Sequence, residues 1–262
     1  MKTIKLITLT SICLFLYLAC GCEKEESNSY IFEDDYSSIL EKYSTYTGCL
    51  SPEDVIPYPE PWTQEVASEF EISEEILCGT STCGLIETFF NQPWVALGPW
   101  SQQSSSLNIN GIEFFNTSIS QNEVIQELLK RDNAVELLSN KYVYLIENFN
   151  RTVNSKPGEI QYLEMLLASD AVRPLLTKQQ SEDLIILSLK MVDLRADETE
   201  TLGFTSTMHI LLSTLIALDY DPLLTDVRFC SGSPETWLFG YKVCSEFPLV
   251  IKNYAEEYIK NK

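Results

Sequence analysis

One pairing in this 262-residue chain has the residue types of covalent catalysis: Cys83, a candidate nucleophile, with His209, the sole histidine. Cys83 stands between Thr82 and Gly84, where the local pattern starts a helix, and the positive end of a helix dipole lowers a thiol pKa. An imidazole within reach would complete a thiol hydrolase. Two features weigh against this pair. His209 is flanked by Met208, Ile210 and Leu211 in the most apolar stretch of the chain, the usual setting of a core histidine, and Cys78 is a ready disulfide partner for Cys83. The Cys83/His209 dyad is therefore the alternative expectation, and the main one is a chain that is not an enzyme.

Other chemistries fail on spacing. Gly79-Thr80-Ser81-Thr82-Cys83 misses the last glycine of a G-x-S-x-G nucleophile elbow, and the papain-type signature has an aromatic where Gly84 follows the cysteine. The acidic pairs Asp219/Asp221 and Glu198/Glu200 lack the calcium-loop pattern. One histidine and no C-x-x-C spacing leave zinc unsupported, and the scattered glycines make no phosphate loop, so no metal and no cofactor is expected. Trp62, Trp94, Trp100, Trp237 and Tyr241 sit in or beside loops, where they read first as core pins and second as glycan-stacking candidates.

The elements that must carry these residues read as helices. Ser73 to Leu77 and Ser81 to Phe90 form two short helices meeting at Gly79, and Ser51-Pro52-Glu53-Asp54 opens another. Pro57-Tyr58-Pro59-Glu60-Pro61-Trp62 is too rich in proline for helix or central strand and reads as an extended strap. Asn91 to Asn110 reads as a long loop, which makes the N-terminal third loop-rich. Ser120-Gln121-Asn122-Glu123 is a capping-box pattern, Asp132 caps the next element, and Thr177 to Gln180 caps a helix reaching Leu194. Thr205 to Leu218 is nearly all apolar and reads as the central buried helix, and the last helix runs from Glu246 to Lys260. With no clear alternating strand run bounded by hairpin turns, the fold class is all-α.

A leucine-pair unit recurs along the second half. Leu128-Leu129 to Leu137-Leu138, Leu166-Leu167 to Leu175-Leu176, and Leu215 to Leu223-Leu224 each run from a helix end through an aspartate to two leucines. The copies place Leu138, Leu176 and Leu224 at spacings of 38 and 48 residues. Over Ser120 to Thr225 this resembles HEAT and armadillo repeats, whose periods are roughly 40 to 47 residues. The resemblance implies an irregular α-solenoid of helix pairs with a concave binding face and no invariant catalytic residue. A compact helical bundle fits the same residues.

Residues 1–22 carry Lys2 and Lys5, an apolar run from Leu6 to Leu18, and Ala19-Cys20-Gly21-Cys22, the three parts of a secretory signal. The end resembles a bacterial lipobox with Cys22 as the acylated residue, or Cys20 as the alternative. The acidic tail Cys22-Glu23-Lys24-Glu25-Glu26-Ser27 resembles the export tag of Bacteroidota surface lipoproteins. The resemblance implies a palmitate-type anchor, an outer-membrane address and a surface-exposed mature chain. Residues 23–35 then read as an acidic tether and 36–262 as a single domain.

Removing the signal takes away two lysines and no acids, leaving 16 basic and 38 acidic side chains, a net charge of −22. Such a balance offers no footprint for nucleic acid or anionic head groups. An exported chain meets oxidising conditions, and five cysteines remain after the anchor. Cys230 and Cys244, flanking the turn-rich Ser231-Gly232-Ser233-Pro234, are the preferred disulfide. Cys78 with Cys83 is a second pair if the helix breaks at Gly79-Thr80. The expected function is a lipid-anchored extracytoplasmic helical scaffold that binds a protein, peptide or glycan.

Overall fold

The computed structural model describes residues 33–60, 70–93, 95, 111–150, 152, 157–196, 204–226 and 247–262. Among them the fold is all-α, with no strand. The helices are α1 (Glu33–Lys42), α2 (Glu74–Gly79), α3 (Thr82–Phe90), α4 (Gly111–Gln121), α5 (Glu123–Leu128), α6 (Ala134–Glu147), α7 (Pro157–Ala168), α8 (Lys178–Ala196), α9 (Phe204–Ala217), α10 (Asp221–Leu224) and α11 (Phe247–Lys260). Short 3₁₀ turns at Ser44–Cys49 and Arg173–Leu175 join them. Residues Asp35–Lys262 form one compact unit, and no helix among the described residues is long and apolar enough to cross a membrane.

The core sits in α7, α8 and α9. The near-continuous apolar run read as a central helix is α9, buried without a break from Ser206 to Leu215. A helix buried on all sides must also satisfy its hydroxyls, and it does so locally. Thr214 Oγ1 donates to Ile210 O at 2.8 Å, and Ser213 Oγ donates to Ala168 O at 2.8 Å, meeting a carbonyl that the end of α7 would otherwise leave orphaned. Leu211, Leu212 and Leu215 fill the rest, each such burial contributing roughly 1.5–3 kcal/mol. The principal contacts run α8 to α9, α7 to α9, α3 to α5, α9 to α11 and α6 to the first 3₁₀ turn, followed by α6 to α7 and α8, and α8 to α11. In α11 the buried residues Ile251, Ala255 and Ile259 repeat every fourth position, giving one apolar stripe on a polar helix.

The helix ends refine the sequence expectations. Thr177 and Gln180 form the expected capping box: Thr177 N–H donates to Gln180 Oε1 at 2.9 Å, and Gln180 N–H donates to Thr177 Oγ1 at 3.2 Å. Ser120 is not a cap, because α4 runs on through Gln121 and Asn122 takes over, its side chain accepting Ile125 N–H at 3.1 Å. Asp132 yields to Asn133 as the residue before α6. The three leucine-pair copies are unequal. After α7 and α9 the chain makes a short helical turn ending in the leucines, whereas Leu137 and Leu138 lie inside the long helix α6. At the end of α9, Asp219 adopts φ 50°, with Asp219 N–H on Ile216 O at 3.0 Å and Tyr220 N–H on Leu215 O at 3.1 Å. That is a Schellman stop with aspartate where glycine is the usual residue.

The N-terminal limb is built differently. Glu33, Asp34 and Asp35, expected in the tether, form the first turn of α1, where acids complement the helix dipole. Ser51 to Asp54 is a bend and turn, with no helix. Asp54 instead reaches α3: Ser81 N–H and Ser81 Oγ donate to its two oxygens at 2.5 and 3.0 Å.

Candidate functional site

The structure takes the sequence-derived dyad apart. Cys83 is bonded to Cys49, with Cα atoms 5.2 Å apart, so its sulfur is no thiol nucleophile. His209 lies inside α9 at 5% exposure, and burial, followed by the nearby Arg173 charge, pushes its pKa down to about 3. A histidine so held stays neutral and buried, the core reading of this residue. The expected Cys78–Cys83 pair is likewise corrected. The helices do break between Gly79 and Thr82, yet Cys78 is exposed and free while Cys49, on the 3₁₀ turn, takes Cys83. Cys20, Cys22, Trp62, Trp94, Trp100, Cys230, Trp237, Tyr241 and Cys244 lie outside the described residues.

What the sequence reading missed is a set of ionised side chains inside the helical core. Lys141 of α6 is 2% exposed, and its Nζ lies 2.8 Å from Glu87 Oε1 of α3 and 2.6 Å from Glu159 Oε1 of α7. Tyr46 donates to the same Glu87 oxygen, and the ammonium sits 4.7 Å from the Phe90 ring centroid and 5.2 Å from that of Tyr46. Burial, then the Glu87 charge, drive the Tyr46 hydroxyl far above its usual pKa. A second cluster centres on Glu164, wholly buried on α7. Arg195 Nη1 is 3.1 Å from Glu164 Oε2, Tyr142 and Thr207 donate to Oε1 at 2.8 and 2.9 Å, and Ser206 donates to Oε2. In both clusters the charges are met by partners of opposite sign among the described residues. Buried charge is tolerable when it is paired and hydrogen-bonded, and these pairs link α6 to α3 and α7, and α7 to α6, α8 and α9. The available signal was a charged residue in a run apolar on all sides, as in Tyr162-Leu163-Glu164-Met165-Leu166.

Among the described residues a groove of about 640 Å³ opens in the N-terminal limb, lined by Val55, Ile56, Pro57, Tyr58, Pro59 and Glu60 on one wall and Asn91 and Pro93 on the other. Its size falls in the range of small-ligand and peptide pockets, roughly 300–1,000 Å³. The wall is fixed from behind. Ile56 N–H donates to Thr88 Oγ1 at 2.9 Å, the Tyr58 hydroxyl accepts from Gln92 Nε2 at 2.6 Å, and the Tyr58 ring packs on Phe70 with centroids 5.1 Å apart. Burial pushes the Tyr58 hydroxyl up to about 12, so it stays protonated. Prolines at 57 and 59 hold this wall extended. The extended strap was legible in the sequence, and its pairing with Asn91–Pro93 was not. No group of three or more His, Cys, Asp or Glu side chains among the described residues is placed to hold a metal ion.

Comparison with protein-family models, with curated proteins and with solved structures finds no match for this chain.

Proposed function

We propose that this chain is a lipid-anchored, extracytoplasmic helical binding protein, acting by recognition of a protein, peptide or glycan and not by catalysis. The observation that carries the reading is the division of polar groups. The buried charges at Lys141 and Glu164 are consumed by structure, and the open groove offers a rigid apolar wall with a few polar groups, the composition of a binding site. The Cys49–Cys83 disulfide supports an address outside the cytoplasm, because such bonds persist in oxidising compartments. Stacked helix pairs are supported by the order of contacts. From Ala134 of α6 to Lys178 of α8 is 44 residues, and from Pro157 of α7 to Phe204 of α9 is 47, near the roughly 40–47 of HEAT-type repeats.

The anchor is tested by labelling cells with a palmitate analogue and partitioning the protein between detergent and water. Wild type should label and enter the detergent phase, and Cys22→Ala should do neither. Loss with Cys20→Ala alone would move the anchor there, and an unlabelled, water-soluble wild type would overturn the anchored reading. Protease added to intact cells should remove the domain if it faces outward.

A further inference from the structure

The groove lies in a part of the chain with a one-sided charge. Between Lys42 and Lys130 there are 87 consecutive residues without a Lys, Arg or His, and twelve of them are Asp or Glu. Two of those acids are already matched from outside the segment, Glu87 by Lys141 and Glu127 by Lys130 and Arg131. Glu53, Glu60, Glu71, Glu74 and Glu75 stand exposed, and Glu60 lines the groove itself. The wall is also poor in donors, since Pro57, Pro59 and Pro93 carry no N–H and that of Ile56 is taken by Thr88. A ligand there meets acceptors, a carboxylate and apolar surface.

We infer that the groove between Val55–Glu60 and Asn91–Pro93 binds an extended basic peptide, with an arginine or lysine paired to Glu60 and neighbouring apolar side chains laid on the proline wall. This inference rests on the binding reading above and names its ligand class. An Arg or Lys supplies donors where the wall supplies acceptors, and the negative field of the whole limb raises the encounter rate of a cation while repelling nucleic acid and anionic lipid. A neutral sugar is less well served. The lining holds one aromatic ring, Tyr58, and that ring is tilted 46° against Phe70 with its hydroxyl occupied.

The test uses the full chain in neutral detergent and three fluorescein-labelled nonapeptides of identical length, alternating leucine with arginine, glutamate or serine, read by anisotropy and by hydrogen exchange over residues 55–60. The arginine peptide should bind and slow exchange at 55–60, weakening as salt is raised. Glu60→Lys should weaken it about tenfold, against less than twofold for Glu257→Lys on α11, which changes net charge by the same amount outside the groove. Equal losses from the two variants would reduce the binding to bulk attraction and overturn the inference. Protection by the serine or glutamate peptide in place of the arginine one would overturn the basic-ligand assignment and leave the binding reading standing. No protection by any peptide would remove the groove as a peptide site, while the palmitate and protease results stand apart from it.

Discussion

The interior helices and the N-terminal limb solve the same problem by different physics. From Gly158 to Ser169, Ser181 to Leu189 and Ser206 to Leu215 every residue is buried, so α7, α8 and α9 are held chiefly by apolar contact at close packing. Within α1 only Ile39 is buried. That helix is fastened by side-chain tips: Tyr36 to Glu147 at 2.6 Å, and Lys42 with the following Tyr43 to Asp183 at 2.5 and 2.8 Å. Further along the limb α3 is itself packed, with Gly84 to Phe90 buried, and the disulfide and Asp54 fasten its first turn to the 3₁₀ turn and the strap. The stack, and α3 with it, should therefore fail through cavities and unpaired charges, and α1, the 3₁₀ turn and the strap through reduction and loss of single polar pins.

Lys141 belongs to both regions, which makes it the largest lever. Replacing it by Met leaves the buried Glu87 and Glu159 without their ammonium, and breaking such a pair costs about 3–5 kcal/mol. Urea unfolding should show that loss, and the triple variant Lys141→Met, Glu87→Gln, Glu159→Gln should recover most of it. If the single variant is as stable as wild type, the buried cluster does not join the limb to the stack.

Removing the disulfide by Cys49→Ser and Cys83→Ser should cost about 4 kcal/mol, the closure entropy of a loop with sequence separation 34. Hydrogen exchange should accelerate over the 3₁₀ turn, the strap and the start of α3, and stay slow in α7 to α9. Uniform acceleration everywhere would erase the distinction between the two regions.

His209 gives the stack its own pH signature. Its folded pKa of about 3 lies below the ordinary 6.5, so the unfolded chain binds the extra proton between those values. Stability therefore falls as pH drops below 6.5, by roughly 1.4 kcal/mol per unit and about 2 kcal/mol by pH 5. His209→Gln should flatten the stability slope across pH 6.5 to 4 by that one proton. Identical slopes for the two proteins would mean the imidazole titrates freely when folded.

Much of the helical part was legible because its signals are local. The apolar run at α9 and the Thr177–Gln180 box depend on residues within a turn or two of each other, and they appear where the sequence puts them. The errors come from long-range competition. Asp54 reads locally as part of a helix, but its carboxylate is claimed 27 residues away by Ser81. Cys83 has Cys78 as its near neighbour in sequence, but Cys49, 34 residues away, is the one bonded to it. Periodicity marks which face is buried and says nothing of which charges find partners there, so Lys141 escapes it, while Glu164 is marked only by its apolar neighbours. The groove combines both cases: its proline wall is local, and its opposite wall at Asn91 and Pro93 is brought up by tertiary packing.

The smallest effect tests the finest of these long-range pins. Asp54→Ala removes a carboxylate that accepts both Ser81 N–H and Ser81 Oγ–H beside the N-terminus of α3, worth about 1 kcal/mol as a cap. The same carboxylate explains Gly84: a Cβ there would collide with Asp54 and lie 2.7 Å from Thr80 Cγ2. Gly84→Ala should therefore destabilise wild type, and less so in an Asp54→Ala background, where only the Thr80 contact remains. A double-mutant cycle should give a coupling of about 0.5–1 kcal/mol, the range for residues in contact. Strict additivity would mean that Asp54 does not sit over Gly84.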